Sequence, residues 1–298
     1  MTQPALVNPF ALKGNWYKAA LHAHTTHSDG RLSPPELARW YRERGYHLLN
    51  LSDHAHVTDA RHLAAADFLL LRGVEWHGGV VADGTHYHLL LLDIQQPVAM
   101  PGGDSMPAAV DAARAAGALV FAAHPYWLGQ TSRQIAAVEG LLGLEVYNDV
   151  CQVRWGLGLA AVHWDELLAQ GRLFYGLAVD DIHDPDIEGD GGWTWIKAAG
   201  LTPQAIRQAL ESGAFYASTG PVIHDIQVCD GIVEVHCSPV VSVGFMATAF
   251  YGRRVTAPKG QTIQQARYQL KGNEGYLRVE CTAADGRSAW SNPVVWGF

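Results

Sequence analysis

The stretch Leu21-His22-Ala23-His24-Thr25-Thr26-His27-Ser28-Asp29-Gly30 places three histidines and an aspartate directly after an apolar run. Alternating apolar side chains over residues 17–21 predict a strand that ends at this point. Residues i and i+2 of a strand point to the same side, so His22 and His24 can offer two imidazoles to one ion. In a chain of 15 histidines such a pair also arises by chance. Two ordinary hydrogen-bonded histidines are an equal alternative at this point.

Length and composition are those of an ordinary globular protein. The chain has 298 residues, 48% of them hydrophobic, which is enough for one large domain with or without a smaller one. Its net charge is −8 and its lysines and arginines form no cluster, which argues against a general nucleic-acid or anionic-membrane surface. No apolar run approaches the length of about 18 residues typical of a membrane span, and the chain does not start like a signal peptide. We therefore expect a cytoplasmic protein without membrane contact.

The four cysteines are scattered without Cys-x-x-Cys spacing. This pattern indicates neither a zinc knuckle nor a disulfide framework. A reducing compartment is consistent with it.

Predicted strands alternate with predicted helices up to about residue 213. Ser33-Pro34-Pro35-Glu36 forms a capping box at one helix start, and an alanine-rich helix opens at Ser105. Seven strands in this arrangement favour a closed β/α barrel over an open sheet. In such barrels the loops after the strands converge on one face, where the chemistry collects. The candidate residues follow, or lie near, the ends of apolar runs: His22, His24, His54, Glu75, His124, Asp181 and His183.

The pattern changes after Ser218. Short alternating runs follow one another, separated by turn signals such as Asp230-Gly231 and Asp285-Gly286, which is typical of antiparallel strands. We predict a β/α barrel domain over residues 1–218 and a small antiparallel β domain over residues 219–298. No low-complexity linker separates them, so the junction is expected to be firm.

Imidazoles and carboxylates together form the ligand set of Zn, Mn or Fe(II), whereas Mg or Ca prefer oxygen alone. Two or three neighbouring ions need a bridging carboxylate, and Glu75 is the natural candidate. Such a cluster lowers the pKa of bound water to about 7 for zinc and holds phosphoryl oxygens during in-line attack. The sequence has neither a Gly-x-Ser-x-Gly motif nor a Gly-x-x-x-x-Gly-Lys loop, so a serine hydrolase or a nucleotide triphosphatase has no support.

Five motifs resemble, in order and spacing, those of the polymerase and histidinol phosphatase (PHP) superfamily over about residues 15–220. They are His22-x-His24-Thr25-x-x-Ser28-Asp29-Gly30, Ser52-Asp53-His54, Gly73-Val74-Glu75, His124-Pro125 and Asp181-x-His183. The segments Phe215-Tyr216-Ala217-Ser218-Thr219-Gly220-Pro221 and Ser288-Ala289-Trp290-Ser291-Asn292-Pro293 are similar to the carbaryl-hydrolase-like branch, which has a β extension after the barrel.

The resemblance implies a distorted seven-stranded β/α barrel, a site for two or three divalent metal ions, and hydrolysis of phosphoesters. It assigns His22, His24, Glu75 and Asp181 to one ion, and Asp29, His54 and His183 to another. Glu75 and His124 are assigned to a third ion. Catalysis is then expected to depend on Glu75, Asp181 and His124. Some members have a further histidine after strand six, where this chain has Glu145 and Asn148.

Other polar residues receive supporting roles. Asp53 is expected to support His54, since ligating histidines usually have a carboxylate or carbonyl partner. His86 and His88 repeat the His-x-His pattern inside an apolar strand, where packed or supporting histidines are favoured over ligands. The candidates for substrate contact are Tyr126, Trp127, Arg154 and Lys197.

The leading functional hypothesis is a metal-dependent phosphoesterase acting on a small phosphomonoester. One alternative keeps the metals but cleaves a carbamate, ester or amide, which the scarcity of Arg and Lys near the motifs favours slightly. Another alternative is a non-catalytic, metal-bound scaffold. The sequence leaves the oligomeric state and the role of the C-terminal β domain open.

Overall fold

The computed structural model of the chain describes residues 6–80, 84, 86–98 and 105–297. The helices in these ranges are short. None combines the length and apolarity that crossing a bilayer requires. The α-helices are α1 (Pro34–Glu43), α2 (Met106–Ala115), α3 (Ser132–Ala136), α4 (Asp149–Trp155), α5 (Ala161–Ala169) and α6 (Pro203–Ser212), and 3-10 turns occur at Pro9–Ala11 and Arg61–Leu63.

Helix starts follow the local sequence signals. The predicted capping box of α1 is confirmed, because Ser33 accepts a hydrogen bond from the backbone of Glu36 and the Glu36 side chain accepts one from the Ser33 backbone. At α2 the Ser105 side chain accepts from the Ala108 amide, as the predicted start of this helix requires. These caps satisfy amide groups that the first helical turn leaves without partners.

The strands belong to three sheets. They are β1 (Asn15–Ala20), β2 (Leu48–Leu51), β3 (Leu69–Arg72), β4 (Val74–Val80), β5 (His86–Leu92), β6 (Leu119–Ala122), β7 (Gly143–Asn148), β8 (Tyr175–Val179), β9 (Trp193–Ala198), β10 (Phe215–Ser218), β11 (Ile223–Cys229), β12 (Ile232–Val240), β13 (Ser242–Ala247), β14 (Arg253–Thr256), β15 (Ile263–Gln269), β16 (Tyr276–Thr282), β17 (Ser288–Ser291) and β18 (Val295–Trp296).

A ten-stranded sheet has the order β14-β13-β16-β17-β10-β9-β1-β2-β3, with β18 paired to β16. A five-stranded sheet has the order β4-β5-β6-β7-β8, and a three-stranded sheet has the order β11-β12-β15. The first two sheets adjoin at two parallel bridges, between Ala23 and Ile182 and between His54 and Glu75. The candidate ligands surround both bridges.

The predicted mixed α/β class is confirmed, whereas the sheets do not show the distorted seven-stranded β/α barrel that the resemblance implies. Strands β4, β5 and β6 pair antiparallel, although alternating strands and helices predicted parallel neighbours. The link from Val80 to His86 explains the first reversal. A parallel pair needs a crossover of about a dozen residues or more, and this link is too short for one.

The strands after residue 219 pair antiparallel, as predicted, but β13, β16 and β17 extend the large sheet through β10. Tyr276 and Trp290 join the apolar core of the five-stranded sheet. The buried Arg278 forms an ion pair of 2.6 Å with Asp165 of α5. Apolar and ionic contacts therefore hold the C-terminal strands against the rest of the chain, while a domain boundary at residue 218 stays a prediction.

Candidate metal centre

Two pairs of polar residues stand side by side where β1 and β8 end. His22 and His24 follow β1, and Asp181 and His183 follow β8. The Asp181 amide donates to the His22 carbonyl and the His24 amide donates to the Ile182 carbonyl, each at 3.0 Å. The two i, i+2 pairs are thus aligned by backbone hydrogen bonds. This alignment brings their side chains together.

The first cluster, here called the closed group, consists of His22, His24, Glu75 and Asp181, all buried. The Nε2 atoms of the two histidines lie 3.1 Å apart. Asp181 Oδ1 is 3.1 Å from His22 Nε2 and 2.9 Å from His24 Nε2, and Glu75 Oε2 is 3.2 Å from both. Ligands about 2.0–2.1 Å from one tetrahedral ion lie roughly 3.3 Å from each other. The donor spacing of the closed group therefore suits a single cation.

The hydrogen bonds around the closed group also fit a cation. His22 Nδ1 lies 2.6 Å from Glu145 Oε1, so Nδ1–H can donate outward to this carboxylate, and Nε2, which faces Glu75 and Asp181, can serve a cation once it has lost its proton. The buried Asp181 Oδ1 has no hydrogen-bond partner among the described residues. Lone pairs that converge in a buried space need a positive charge between them.

The second cluster, the open group, consists of His24, Asp29, His54 and His183. Asp29 Oδ2 lies 3.4 Å from both His54 Nε2 and His183 Nε2, and Asp29 Oδ1 lies 3.5 Å from His24 Nδ1. His183 Nδ1 donates to the Asp181 carbonyl at 2.8 Å, which leaves its Nε2 lone pair for the cluster. Unlike the closed group, this cluster is partly exposed.

The third group joins Glu75, His88 and His124. Glu75 Oε1 lies 2.6 Å from His88 Nδ1 and 2.8 Å from His124 Nε2. Because Glu75 Oε2 faces the closed group, the two oxygens of one carboxylate serve two clusters, as the predicted bridge requires. The sequence favoured a packed or supporting role for His88. In the structure β5 runs antiparallel to β4 and places His88 beside Glu75 and His124, where it can act as a ligand.

The buried carboxylate of Glu145 holds two candidate ligands in place. Glu145 accepts from the His124 amide at 2.7 Å and from Asn148 Nδ2 at 2.9 Å, in addition to its contact with His22. Glu145 lies in the region after strand six where some members of the resembling family have a further histidine. In this chain it orients the candidate ligands His22 and His124 instead. Asn148 also donates to Asp181 Oδ2 at 3.1 Å.

Asp53 was expected to support His54, but its carboxylate bonds to other residues. Its carboxylate accepts from the Thr25 amide at 2.7 Å, the Thr25 hydroxyl at 2.8 Å and the Ser28 hydroxyl at 2.9 Å. These bonds fix the loop that carries Asp29. The buried Glu188 has a similar role on the other side, because it accepts from the His183 amide at 2.8 Å.

Two candidate ligands have unusual backbone conformations. His124 has a φ of 27° and Asp181 has a φ of 58°. Positive φ is uncommon for residues other than glycine, and such conformations cost on the order of 1–3 kcal/mol each. The surrounding hydrogen bonds maintain this strain at the two positions where side chains must face the cluster.

The electrostatics of the cluster favour ionised carboxylates. Burial acts to raise the pKa of Glu75 and Asp181, but the charge of His22 and contacts with the other histidines hold both pKa values well below the usual range. Burial lowers the pKa of His24, yet the carboxylates of Asp181 and Glu75 outweigh it and raise the pKa to about 9. The raised pKa of His24 favours its protonated form in the absence of metal, and a bound cation would displace that proton.

A cleft of about 240 Å³ opens beside the clusters. Of the four predicted substrate contacts, Trp127 and Arg154 line this cleft and Tyr126 does not. Lys197 pairs with Trp16 near the start of β1, at the end of that strand away from His22. The lining residues are Asp29, His54, Glu75, His88, His124, Trp127, Val150, Cys151, Arg154, Trp155, Asp181 and His183.

The cleft holds no activated thiol among the residues that line it. Burial, followed by the negative charges of Asp181 and Glu145, raises the pKa of Cys151 far above its ordinary value. A neutral thiol is a poor nucleophile. Water is therefore the better candidate for the attacking group.

The sequence matches no protein-family model and no curated protein. Among solved structures, the chain is similar to a two-domain protein from Bacteroides vulgatus that contains a predicted PHP-like metal-dependent phosphoesterase. The TM-score is 0.55 at 18% identity, and the match covers 98% of each chain. At this identity the likeness concerns the fold alone.

Two further structures match more weakly. One is from Bifidobacterium adolescentis, provisionally assigned as a metal-dependent phosphoesterase, with a TM-score of 0.46 at 18% identity, over 64% of this chain and 95% of that one. The other is an amidohydrolase from Chromobacterium violaceum with bound sulfate and no metal, with a TM-score of 0.44 at 20% identity, over 57% and 89%. At these TM-scores neither likeness bears on the function of this chain.

Proposed function

We propose that this protein is a metal-dependent hydrolase and that its substrate is a small phosphomonoester. The observation that carries the proposal is the convergence of imidazole and carboxylate donors on neighbouring centres, joined by the two oxygens of Glu75. The similar protein from Bacteroides vulgatus is described as containing a predicted phosphoesterase, which supports the same reaction class.

Each centre has its own set of residues in this proposal. The closed group would hold one divalent ion and the open group a second, while Glu75, His88 and His124 would hold a third. Zn, Mn and Fe(II) suit this mixture of nitrogen and oxygen donors. When bound, such ions lower the pKa of water toward neutrality and neutralise the charge of phosphoryl oxygens.

Side chains around the cleft would position the substrate. Arg154 donates from Nε and Nη2 to Glu188, at 2.8 and 3.1 Å. A guanidinium has five N–H groups, so those not used by Glu188 are available to an anionic oxygen. Glu75, Asp181 and His124 are the residues on which we expect catalysis to depend. All the proposed ligands lie within residues 1–218.

A second candidate function rests on the scarcity of cations. Among the residues that line the cleft, Arg154 is the one with a permanent positive charge, and Glu188 neutralises it. A phosphomonoester carries up to two negative charges, whereas a carbamate, ester or amide carries none at the scissile bond. The same metal centre acting on a neutral acyl group is therefore the alternative, and a carbaryl-hydrolase-like branch is consistent with it.

Substrates that share one leaving group separate these functions. Metal-loaded protein is assayed with p-nitrophenyl phosphate, p-nitrophenyl acetate and p-nitrophenyl N-methylcarbamate, followed by sugar and nucleoside monophosphates. We expect the phosphate to have the highest kcat/KM and His124→Ala to abolish its turnover. His236→Ala, which removes a histidine of β12 outside the cleft, is the matched control and should retain full activity.

Each other outcome has a clear meaning. Faster turnover of the carbamate or acetate would decide for the acyl alternative. If the protein binds metal but cleaves no phosphoester of the panel, the phosphoesterase proposal is wrong. Fewer than two metal ions per chain together with no activity would favour the non-catalytic scaffold.

A further inference from the structure

One wall of the cleft is aromatic. The rings of Trp127 and Trp155 lie 5.3 Å apart between centroids, with an interplanar angle of 43°. Trp127 also contacts two proposed ligands, with its ring 5.1 Å from that of His124 and 6.1 Å from that of His88, nearly perpendicular to the first and steeply inclined to the second. The aromatic wall thus begins directly at the third group and extends outward to Trp155.

Trp155 is unusually exposed for a tryptophan. It is the last residue of α4, which Gly156 ends in a left-handed conformation, and 51% of its surface is accessible. Tryptophan is on average highly buried, because its ring has a large apolar surface. The contact with Trp127 covers part of this ring, and much of the remainder is open to solvent beside the cleft.

The rest of the cleft suits a flat ring next to a charged group. Val150 and Cys151 contribute buried apolar residues to the lining, and Arg154 adds a guanidinium to the same cleft. A cavity of about 150 Å³ can hold benzene, so a cleft of about 240 Å³ has room for a six-membered ring and a small substituent.

We propose that the cleft selects substrates in which a planar aromatic group lies next to the scissile bond, and that this group stacks on Trp155. This selection rests on the proposed function, because the scissile bond is the one that the metal centre would cleave. Stacking of aromatic rings is worth roughly a factor of ten in affinity beyond the area that it buries.

The test uses a pair of substrates that differ only in the ring. Benzyl phosphate and cyclohexylmethyl phosphate have the same phosphoryl group and similar primary alcohols as leaving groups, but only the first has a planar ring. We expect the metal-loaded protein to favour benzyl phosphate about tenfold in kcat/KM. Trp155→Ala should remove this preference, so that the ratio of the two kcat/KM values falls to about one.

Two variants control for general effects. Trp155→Phe keeps a flat ring and should retain most of the preference, which a purely structural role of Trp155 does not predict. Phe250→Ala removes another exposed aromatic ring, 83% accessible and outside the cleft, and should leave the preference unchanged.

A binding measurement separates this inference from the proposed function. Calorimetry with benzylphosphonate and cyclohexylmethylphosphonate compares affinities without any reaction. If neither phosphate is cleaved but benzylphosphonate binds about tenfold more tightly in a Trp155-dependent way, the phosphoesterase proposal fails and the aromatic site stands. Equal kcat/KM for the two phosphates, an equal preference in Trp155→Ala, or no binding of either phosphonate would overturn the inference.

Discussion

The closed and open groups share His24 but differ in their access to solvent. In the closed group, the side chains of His22, His24, Glu75 and Asp181 have between 0% and 5% of their surface exposed. In the open group, the side chain of Asp29 is 53% exposed, and those of His54 and His183 are 23% and 21% exposed. The closed group is almost fully buried and reaches the cleft only through Glu75 and Asp181, whereas Asp29, His54 and His183 of the open group line the cleft with partly exposed side chains.

This difference suggests a division of labour between two neighbouring centres. A site surrounded by protein donors has no position for a substrate, which is typical of structural metal sites, whereas a catalytic site keeps a position open. The closed group is supported by Glu145 and Asn148 near strand ends, and the open group by Asp53 and Glu188, which fix loops. We infer that the closed group retains metal firmly and that the open group meets the substrate.

The largest expected effect is the loss of kcat when a ligand of either group is removed, and the metal content of the two variants should distinguish the groups. Asp181→Ala and Asp29→Ala should each lower kcat by on the order of 10³-fold, because each removes a metal ligand that contributes several kcal/mol. Metal analysis should show that Asp29→Ala keeps the ion of the closed group and that Asp181→Ala loses it. Asp67→Ala, at an exposed aspartate paired with Arg42, is the control and should change neither quantity. Equal loss of metal in both variants would contradict the division of labour.

Removing the metal should lower the stability of the fold. A ligand present at 100 times its Kd stabilises the native state by about 2.7 kcal/mol. Denaturation with and without a chelator should therefore show a loss of about this size in wild-type protein. Most of it should persist in Asp29→Ala, because the closed group is intact there, and little should persist in Asp181→Ala. A chelator without effect on the unfolding of wild-type protein would exclude firm binding.

The next effect concerns the open group alone. Glu188→Gln should lower kcat/KM by roughly 10–100-fold, since Glu188 accepts from the His183 amide and from Arg154, and loss of such supporting partners typically costs this much. The closed-group metal should remain. Glu139→Gln, at an exposed glutamate paired with Arg172, serves as the matched control. Loss of the firmly bound ion in Glu188→Gln would show that the two groups are not independent.

The smallest effect is expected at Asp53. Asp53→Asn keeps the size of the side chain but replaces one acceptor oxygen by a donor, so some of its bonds to Thr25, Ser28 and Thr58 are lost. Because these bonds fix the loop that carries Asp29, kcat/KM should fall by about 10-fold or less, with metal content unchanged. The corresponding measurements are steady-state kinetics and metal analysis. A loss as large as that of Asp181→Ala would assign Asp53 to the metal centre itself.

Much of the candidate site could be predicted from the sequence because its main pairs depend on a local rule. Side chains at i and i+2 share a side of a strand, so His22 with His24 and Asp181 with His183 could be recognised as pairs without knowing the fold. The motif resemblance then connected pairs that are far apart in the sequence. That these side chains bind metal stays a prediction.

What the sequence did not reveal depends on chain direction and on distant packing. His88 lies near the start of β5, inside an apolar run, where the sequence favours a packed or supporting histidine over a ligand. Only the antiparallel pairing of β4 and β5 brings it opposite His77 and close to Glu75. The role of Glu145 also depends on the side-chain contact with His22 across 123 positions of sequence, which no local pattern encodes. The position of Lys197 depends on pairing in the same way, since β9 runs antiparallel to β1 and places Lys197 opposite Trp16, at the end of β1 away from His22.

The pairing of sheets was likewise beyond the local pattern. Alternating strands and helices indicated the mixed α/β class correctly, but they do not determine how β13, β16 and β17 join the large sheet. That arrangement depends on long-range contacts such as the ion pair of Arg278 with Asp165.

The most direct test is a crystal structure of zinc-loaded protein, with diffraction data collected on both sides of the zinc absorption edge. We predict an anomalous peak about 2.0–2.2 Å from His22 Nε2, His24 Nε2 and the facing oxygens of Glu75 and Asp181, and a second peak in the open group. The first peak should persist after extended dialysis and the second should weaken. Zinc in the open group with none between the donors of the closed group would contradict the account.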